Sequence, residues 1–180
     1  MPTLPRATTL LCALLLAACY EAGDGRGPTS PTGPARPTLA PGLVVQSVTG
    51  SGHFTNAAGF WRRLTVTARR YADGTIDGEW QIVSGATIIH GNVTCLWIDG
   101  SEARVGGITE DVKFSPNVEP GWEFATRIVD NGQGVTDPAD QTSRQFFTPT
   151  VGAADTFCTT GATPFPSLND MVAGNFEVRR

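Results

Sequence analysis

The alternation of apolar and polar residues in the middle of the chain is the feature that most limits its fold. Between Phe60 and Tyr71, the apolar residues Leu64, Val66 and Ala68 are separated and flanked by arginine and threonine. A period of two places the apolar side chains on one face of an extended chain, whereas a helix needs a period near 3.6. This segment is therefore predicted to be a β-strand with one face in a core.

The same pattern recurs along the rest of the chain. After Asp73-Gly74-Thr75, alternation resumes at Ile76, which predicts a hairpin because glycine tolerates the positive φ of a tight turn. Val93 to Ile98 is apolar on both faces, which is typical of a central strand covered on both sides. The predicted strands are Val44–Phe54, Phe60–Tyr71, Ile76–Ile82, Thr87–Ile98, Glu102–Thr109, Trp122–Val129, Arg144–Thr148 and Gly174–Val178, with one helical turn considered at Asn169–Ala173.

These strands predict an all-β domain. We expect an antiparallel β-barrel or a barrel-like sandwich of about eight strands, because short strands with regular glycine-containing turns are typical of both. Pairing of the first strand with the last would close the sheet and remove its exposed edges. The pairs Arg62-Arg63 and Arg69-Arg70 are predicted to lie on an outer face, paired with Glu79 or Asp77 across the hairpin.

The first eighteen residues have the parts of a signal peptide. Arg6 is followed by an apolar stretch from Leu10 and then by Leu16-Ala17-Ala18-Cys19. The apolar stretch is about half the ~20 residues of a transmembrane helix. The segment resembles the lipobox of bacterial lipoproteins, and the resemblance implies export, cleavage before Cys19, and membrane attachment through lipid on Cys19. An ordinary cleaved signal peptide is the alternative.

A tether and one domain are predicted after the lipobox. Residues 19–42 contain prolines at 28, 31, 34, 37 and 41, and such a segment stays disordered but extended, at about 3.1 Å per residue. Residues 43–180 have the length of a single β-domain. Because Tyr20 follows Cys19 and an Asp there resembles the inner-membrane retention signal of Gram-negative lipoproteins, the outer membrane is the expected location, with the domain facing the periplasm or the cell surface.

The charge disfavours nucleic acid as a partner. The chain carries 13 basic and 17 acidic residues, and removal of residues 1–18 would take away only Arg6. A mildly acidic domain lacks the basic footprint that phosphate backbones require. The expected partners are therefore the membrane, through lipid on Cys19, and an envelope protein or a small ligand.

Two cysteines are left for the folded domain, since Cys12 lies in the signal segment and Cys19 is the predicted lipid site. In an exported chain, Cys95 and Cys158 predict one disulfide bond. A metal pair and a catalytic thiol are the alternatives.

The acidic segment 130–140 is the densest polar cluster in the sequence. Asp130, Asn131, Asp137 and Asp140 offer the oxygen ligands that calcium prefers, although their spacing does not match an EF-hand. They define a candidate calcium site. The alternative is a surface loop that uses these residues for turn chemistry.

Catalysis is not predicted. The two histidines, His53 and His90, could serve a hydrolase only beside a nucleophile. The sequence has no G-x-S-x-G motif and no Gly-Lys pair, which disfavours a nucleophile elbow and excludes a phosphate-binding loop. His90 is expected to be structural.

Two further resemblances concern the domain. The segments Tyr71–Thr75, Gly78-Glu79, His90–Leu96 and Asp130–Gly132 look like a group of uncharacterised secreted bacterial β-domains, over Val48 to about Val178. That resemblance implies an all-β fold and no particular activity. Gly59-Phe60-Trp61 resembles the short G-x-W signature of lipocalins, which implies an eight-stranded barrel around a ligand.

These observations lead to three hypotheses on function. The first is a membrane-anchored envelope lipoprotein that presents a small β-domain for binding or structural interaction. The second is a lipocalin-like carrier of a small apolar ligand, and the third is a hydrolase. No cofactor other than calcium is predicted.

Overall fold

The alternating segments form the strands of one antiparallel sheet. A computed structural model describes residues 42–55, 59–133 and 136–180. The predicted signal peptide 1–18, Cys19 and all but the last residue of the tether 19–42 lie outside the described residues. The strands are β1 (Val44–Thr55), β2 (Trp61–Tyr71), β3 (Ile76–Ser84), β4 (Thr87–Asp99), β5 (Glu102–Lys113), β6 (Glu123–Val129), β7 (Gln141–Ser143), β8 (Phe146–Thr148), β9 (Leu168–Asp170) and β10 (Ala173–Arg179), with one helix, α1 (Ala153–Thr160).

The sheet curls into a half-barrel, which confirms the predicted fold class. Its strand order is β10-β1-β2-β3-β4-β5-β6-β7-β9, and β8 pairs with β6 beside this path. The described residues form ten strands and not about eight, because β7 and β9 were not predicted, and of the predicted strand Arg144–Thr148 only Phe146–Thr148 is a strand, β8. The helical turn considered at Asn169–Ala173 is wrong, since these residues belong mainly to β9 and β10.

The β2–β3 hairpin has the predicted turn. The backbone N–H of Thr75 donates to Asp73 Oδ1 at 2.9 Å, and this hydrogen bond holds the pKa of the Asp73 carboxyl below its ordinary value. The register pairs Val66 with Trp80, so the apolar residues of both strands lie on the same face. This face is the inner one, because Leu64, Val66 and Trp80 are buried.

An aromatic cluster fills the middle of the half-barrel. The Trp80 indole stacks on Phe124 with ring centroids 3.9 Å apart, and Phe147 packs against both rings. A Cβ atom added at Gly91 or Gly107 would lie 2.6 Å or 2.7 Å from the indole. Glycine at these two positions of β4 and β5 therefore makes room for the largest side chain of the core.

The first and last strands pair as predicted, with Val48 opposite Val178, but the pairing does not close the sheet, because β10 and β9 stand at its two ends. The other edge of β10 is covered by side chains and not by a strand. The Phe176 N–H donates to Asp140 Oδ2 at 2.6 Å, and the Val178 N–H donates to Asp130 Oδ2 at 2.9 Å. Two carboxylates at the ends of β6 and β7 thus satisfy backbone donors that would otherwise be open to strand pairing.

The helix α1 covers the outer face of β4, β5 and β6 and was not predicted. Its sequence is rich in threonine, a weak helix former, so its helicity depends on packing and on its ends. It ends at Gly161, which has a positive φ of 72° and donates its N–H to the Phe157 carbonyl at 2.7 Å. Within the described residues, no helix is both long and apolar enough to cross a membrane.

A disulfide bond between Cys95 on β4 and Cys158 on α1 holds the helix against the sheet, which confirms the predicted pair. The two sulfur atoms pack with Ala154 in a small buried cluster that Trp97 borders. This cluster explains why Val93 to Ile98 is apolar on both faces, since the inner face meets the main core and the outer face meets α1.

A carboxylate from β6 caps the start of α1. The N–H groups of Gly152 and Ala154 donate to the two oxygens of Glu123, each at 2.6 Å. Glu123 is only 8% exposed, so its charge is balanced mainly by these donors and by the positive end of the helix.

Replacing Glu123 by glutamine is expected to lower the free energy of unfolding by about 1–2 kcal/mol, because glutamine keeps one acceptor but loses the negative charge and the second acceptor. Urea unfolding followed by circular dichroism measures the change. Glu119→Gln, at an exposed loop position, is the matched control and should stay within about 0.5 kcal/mol of the parent. Equal losses in both variants would contradict the capping role.

Candidate functional site

A cavity of about 390 Å³ lies at the end of the half-barrel where β2 begins and the β3–β4 turn is located. Its wall combines core residues with polar residues and loop residues. The lining residues are Arg62, Ile82, Ser84, Thr87, Ile89, Ser115, Asn117, Val118, Arg144, Gln145, Phe146, Phe147 and Phe165. Most of the larger side chains are apolar, but two arginines are among them.

Arg62 lies in this wall because of its position in β2. Side chains alternate along the strand, so Arg62 shares the inner face with the buried residues Leu64 and Val66. Its Nε atom is buried and has no hydrogen-bond partner among the described residues. Burial lowers the pKa of the Arg62 guanidinium from its ordinary value, and repulsion from Arg144 lowers it further.

Arg144 approaches the same cavity from the link between β7 and β8. Its guanidinium carbon lies 4.3 Å from the centroid of the Phe165 ring, and this cation–π contact orients an otherwise exposed side chain. Among the described residues, neither Arg62 nor Arg144 forms an ion pair with a carboxylate. The cavity therefore carries two positive charges that the described part of the protein does not balance.

Gln145 adds an unpaired acceptor to the wall. The side chain is 3% exposed, and its Nε2 donates to the Ser143 carbonyl at 3.0 Å. This bond defines the orientation of the amide and directs Oε1 away from Ser143. Oε1 is buried and has no partner among the described residues. A buried acceptor without a partner is costly to the stability of the fold.

Exposed aromatic residues flank the cavity mouth. Trp61 is 54% exposed and Phe114 is 81% exposed. Both lie beside the β3–β4 turn, because Ser84 donates to the Trp61 carbonyl and Thr87 donates to the Phe114 carbonyl. The surface next to the mouth is thus partly apolar, as is common around ligand-binding sites. Trp61, of the lipocalin-like G-x-W segment, lies on this surface and not in the core.

The predicted arginine pairing across the hairpin is only partly right: Arg63 and Arg69 are exposed on the outer face, and Arg69 lies opposite Asp77, but no ion pair joins them to Asp77 or Glu79 among the described residues. Glu79 lies 3.7 Å from His90 Nε2, and Asp77 accepts a hydrogen bond from the Tyr71 hydroxyl at 3.0 Å. Arg62 and Arg70 are on the inner face, where Arg70 donates to the Leu96 carbonyl. The alternation of β2 already indicated this, since residues 62 and 70 have the same parity as Leu64.

The residues of the candidate calcium site are held by backbone contacts. Asp140 accepts from the N–H groups of Asn131 and Phe176, and Asp130 accepts from those of Gly132 and Val178. The Asn131 amide donates to the Ala139 carbonyl at 2.7 Å. Asp137 is exposed and also makes an interaction. Within the described residues, no group of three or more His, Cys, Asp or Glu forms a metal cluster, and calcium binding stays a prediction.

Neither histidine lines the cavity, and both lie on the outer face of the sheet. His53 stacks on Trp61 with ring centroids 4.0 Å apart, and His90 faces Glu79. In the part of the chain that the structure describes, no hydrogen bond joins either imidazole to a serine, threonine or cysteine side chain. The residues considered for a hydrolase are therefore not assembled with a nucleophile there.

Comparisons with known protein families, curated proteins and solved structures found no match to this chain, so nothing in them indicates catalysis.

Proposed function

We propose that this protein is an exported lipoprotein, anchored in the outer membrane through lipid on Cys19, whose β-domain acts by binding and not by catalysis. The lipobox-like segment before Cys19 and the proline-rich tether after it support the anchor. A tether of about 20 residues at about 3.1 Å each would let the domain work up to roughly 60 Å from the bilayer.

The cavity is the observation that carries the binding function. Its volume of about 390 Å³ falls in the range of small-molecule sites, about 300–1,000 Å³, and its wall combines apolar and polar residues in similar proportion. Because the cavity contains two arginines that pair with no described carboxylate, a bound small molecule would gain both apolar contacts and a charge interaction. This favours a carrier or sensor of a small ligand over a scaffold that binds only another envelope protein.

Replacing Cys19 by serine is expected to abolish lipid attachment, because serine lacks the thiol that accepts the lipid. The full chain would be expressed in a Gram-negative host fed radiolabelled palmitate, and the label and detergent partitioning of the protein would be measured. Cys12→Ser, in the predicted signal segment, is the matched control and should keep both. A Cys19→Ser chain that is still labelled would rule out this anchor.

The binding function is tested separately from the anchor. The parent protein would be purified from native membranes and analysed by native mass spectrometry for a bound small molecule. A mass increment lost on denaturation supports the proposal. A parent protein that carries no small molecule and instead retains only a protein partner would favour the scaffold.

A further inference from the structure

We propose that the cavity binds a small organic acid, in which a carboxylate lies between Arg62 and Arg144 and an apolar body lies against the phenylalanines. The proposal deepens the binding function described above and is independent of the lipid anchor. It rests on the two arginines and on the apolar residues that share the wall with them.

The positive charge of the two arginines favours an anionic ligand. The Arg62 guanidinium is half-buried and forms no ion pair with a described carboxylate, so it has lost part of its hydration without gaining a counter-ion, which is unfavourable unless an anion binds. A second guanidinium in the same wall raises that cost through repulsion. A carboxylate would accept from both side chains, and its planar pair of oxygens matches the geometry of guanidinium donors.

The apolar residues of the wall favour an anion that also carries an apolar group. Ile82, Ile89 and Val118 belong to the main hydrophobic core, and Phe147 packs against it, so the cavity is continuous with the core of the domain. Phe165, held by Arg144, forms another part of the wall. Inorganic anions would leave these surfaces uncovered, whereas an acid with a hydrocarbon chain or an aromatic ring would bury them.

The experiment is calorimetric titration of the full chain, reconstituted in zwitterionic lipid nanodiscs, with empty nanodiscs as the blank. If the chain proves to carry no lipid, the same titration is done in solution. The probes are octanoate and 2-naphthoate, each paired with its neutral primary amide. We expect at least one acid to bind about 10-fold or more tightly than its amide. Preference for octanoate would identify a chain-like body, and preference for 2-naphthoate a ring-like one.

Three substitutions locate the site. Arg62→Gln and Arg144→Gln should each weaken binding of the acid by about 10-fold or more and leave the amide unchanged. Arg63→Gln, one residue along β2 on the outer face, should not change either affinity. Arg144 is exposed, so its variant tests the site even if Arg62→Gln does not fold. The proposal is overturned if neither acid binds better than its amide, or if Arg63→Gln weakens binding as much as the cavity variants.

Discussion

Replacing Asp140 by alanine is expected to lower the free energy of unfolding by about 3–5 kcal/mol. The side chain is 4% exposed, and its two oxygens accept from the Asn131 and Phe176 N–H groups at 2.9 Å and 2.6 Å. Alanine would leave both donors without a partner, and hydrogen bonds to a buried charged group contribute about 1.5–3 kcal/mol each. The loss would also expose the outer edge of β10 to pairing with other chains.

Urea unfolding of the parent and the variant measures this loss, and light scattering reports aggregation through the exposed edge. The stability of Asp140→Asn should lie between those of the parent and of Asp140→Ala, because the single side-chain oxygen of asparagine can accept from only one of the two N–H groups. Asp111→Ala is the control: among the described residues, the Asp111 side chain forms an exposed ion pair with Lys113 and no other contact with a charged group, so its loss should change stability by at most about 0.5 kcal/mol. If Asp140→Ala behaved like Asp111→Ala, the carboxylate would not hold the edge.

Removing the Cys95–Cys158 disulfide is expected to lower the free energy of unfolding by about 4 kcal/mol. The cysteines are 63 residues apart in sequence, and the chain-entropy estimate for a loop of that length gives about this value. The structural change should be largest around α1, because the disulfide and Ala154 form the cluster that packs the helix on the sheet. The half-barrel core on the other face of β4 keeps its own contacts.

The double variant Cys95→Ala/Cys158→Ala would be compared with the parent in urea, with and without reductant. Reductant should shift the unfolding midpoint of the parent and leave that of the double variant unchanged. Trp97 borders the cluster and is covered by Arg104 at 3.9 Å, so its fluorescence should change when the helix loosens. A fully reduced parent with an unchanged midpoint would contradict the prediction.

Local patterns were sufficient to predict most strands. The alternation in β2 and β3 predicted both their faces and their pairing, because a strand with one buried face strongly favours one register. The same alternation indicates that Arg62 lies on the inner face. The charge of arginine, however, favoured the interpretation that it lies outside and pairs with an acid. Arg144 gave no such signal, since it lies between two three-residue strands.

The helix and the capped edge could not be predicted in this way. The segment Ala153–Thr160 has no strong helix propensity, and its partners, Glu123 and Cys95, are distant in sequence. Asp130 and Asp140 were interpreted as calcium ligands because oxygen-rich loops of this composition serve both metals and turns. Their contacts with β10 depend on strands that meet only after the sheet has curled.

The sequence by itself indicated the all-β class, the disulfide partners and the case for a lipid anchor. Each of these depends on a local pattern or on a count of residues, and both can be recognised without the three-dimensional structure. Only the tertiary structure decided that carboxylates cover the last edge and that two unbalanced arginines share one cavity with core residues. Those features require side chains from distant strands to meet, and curvature of the sheet, which no local pattern encodes, brings them together.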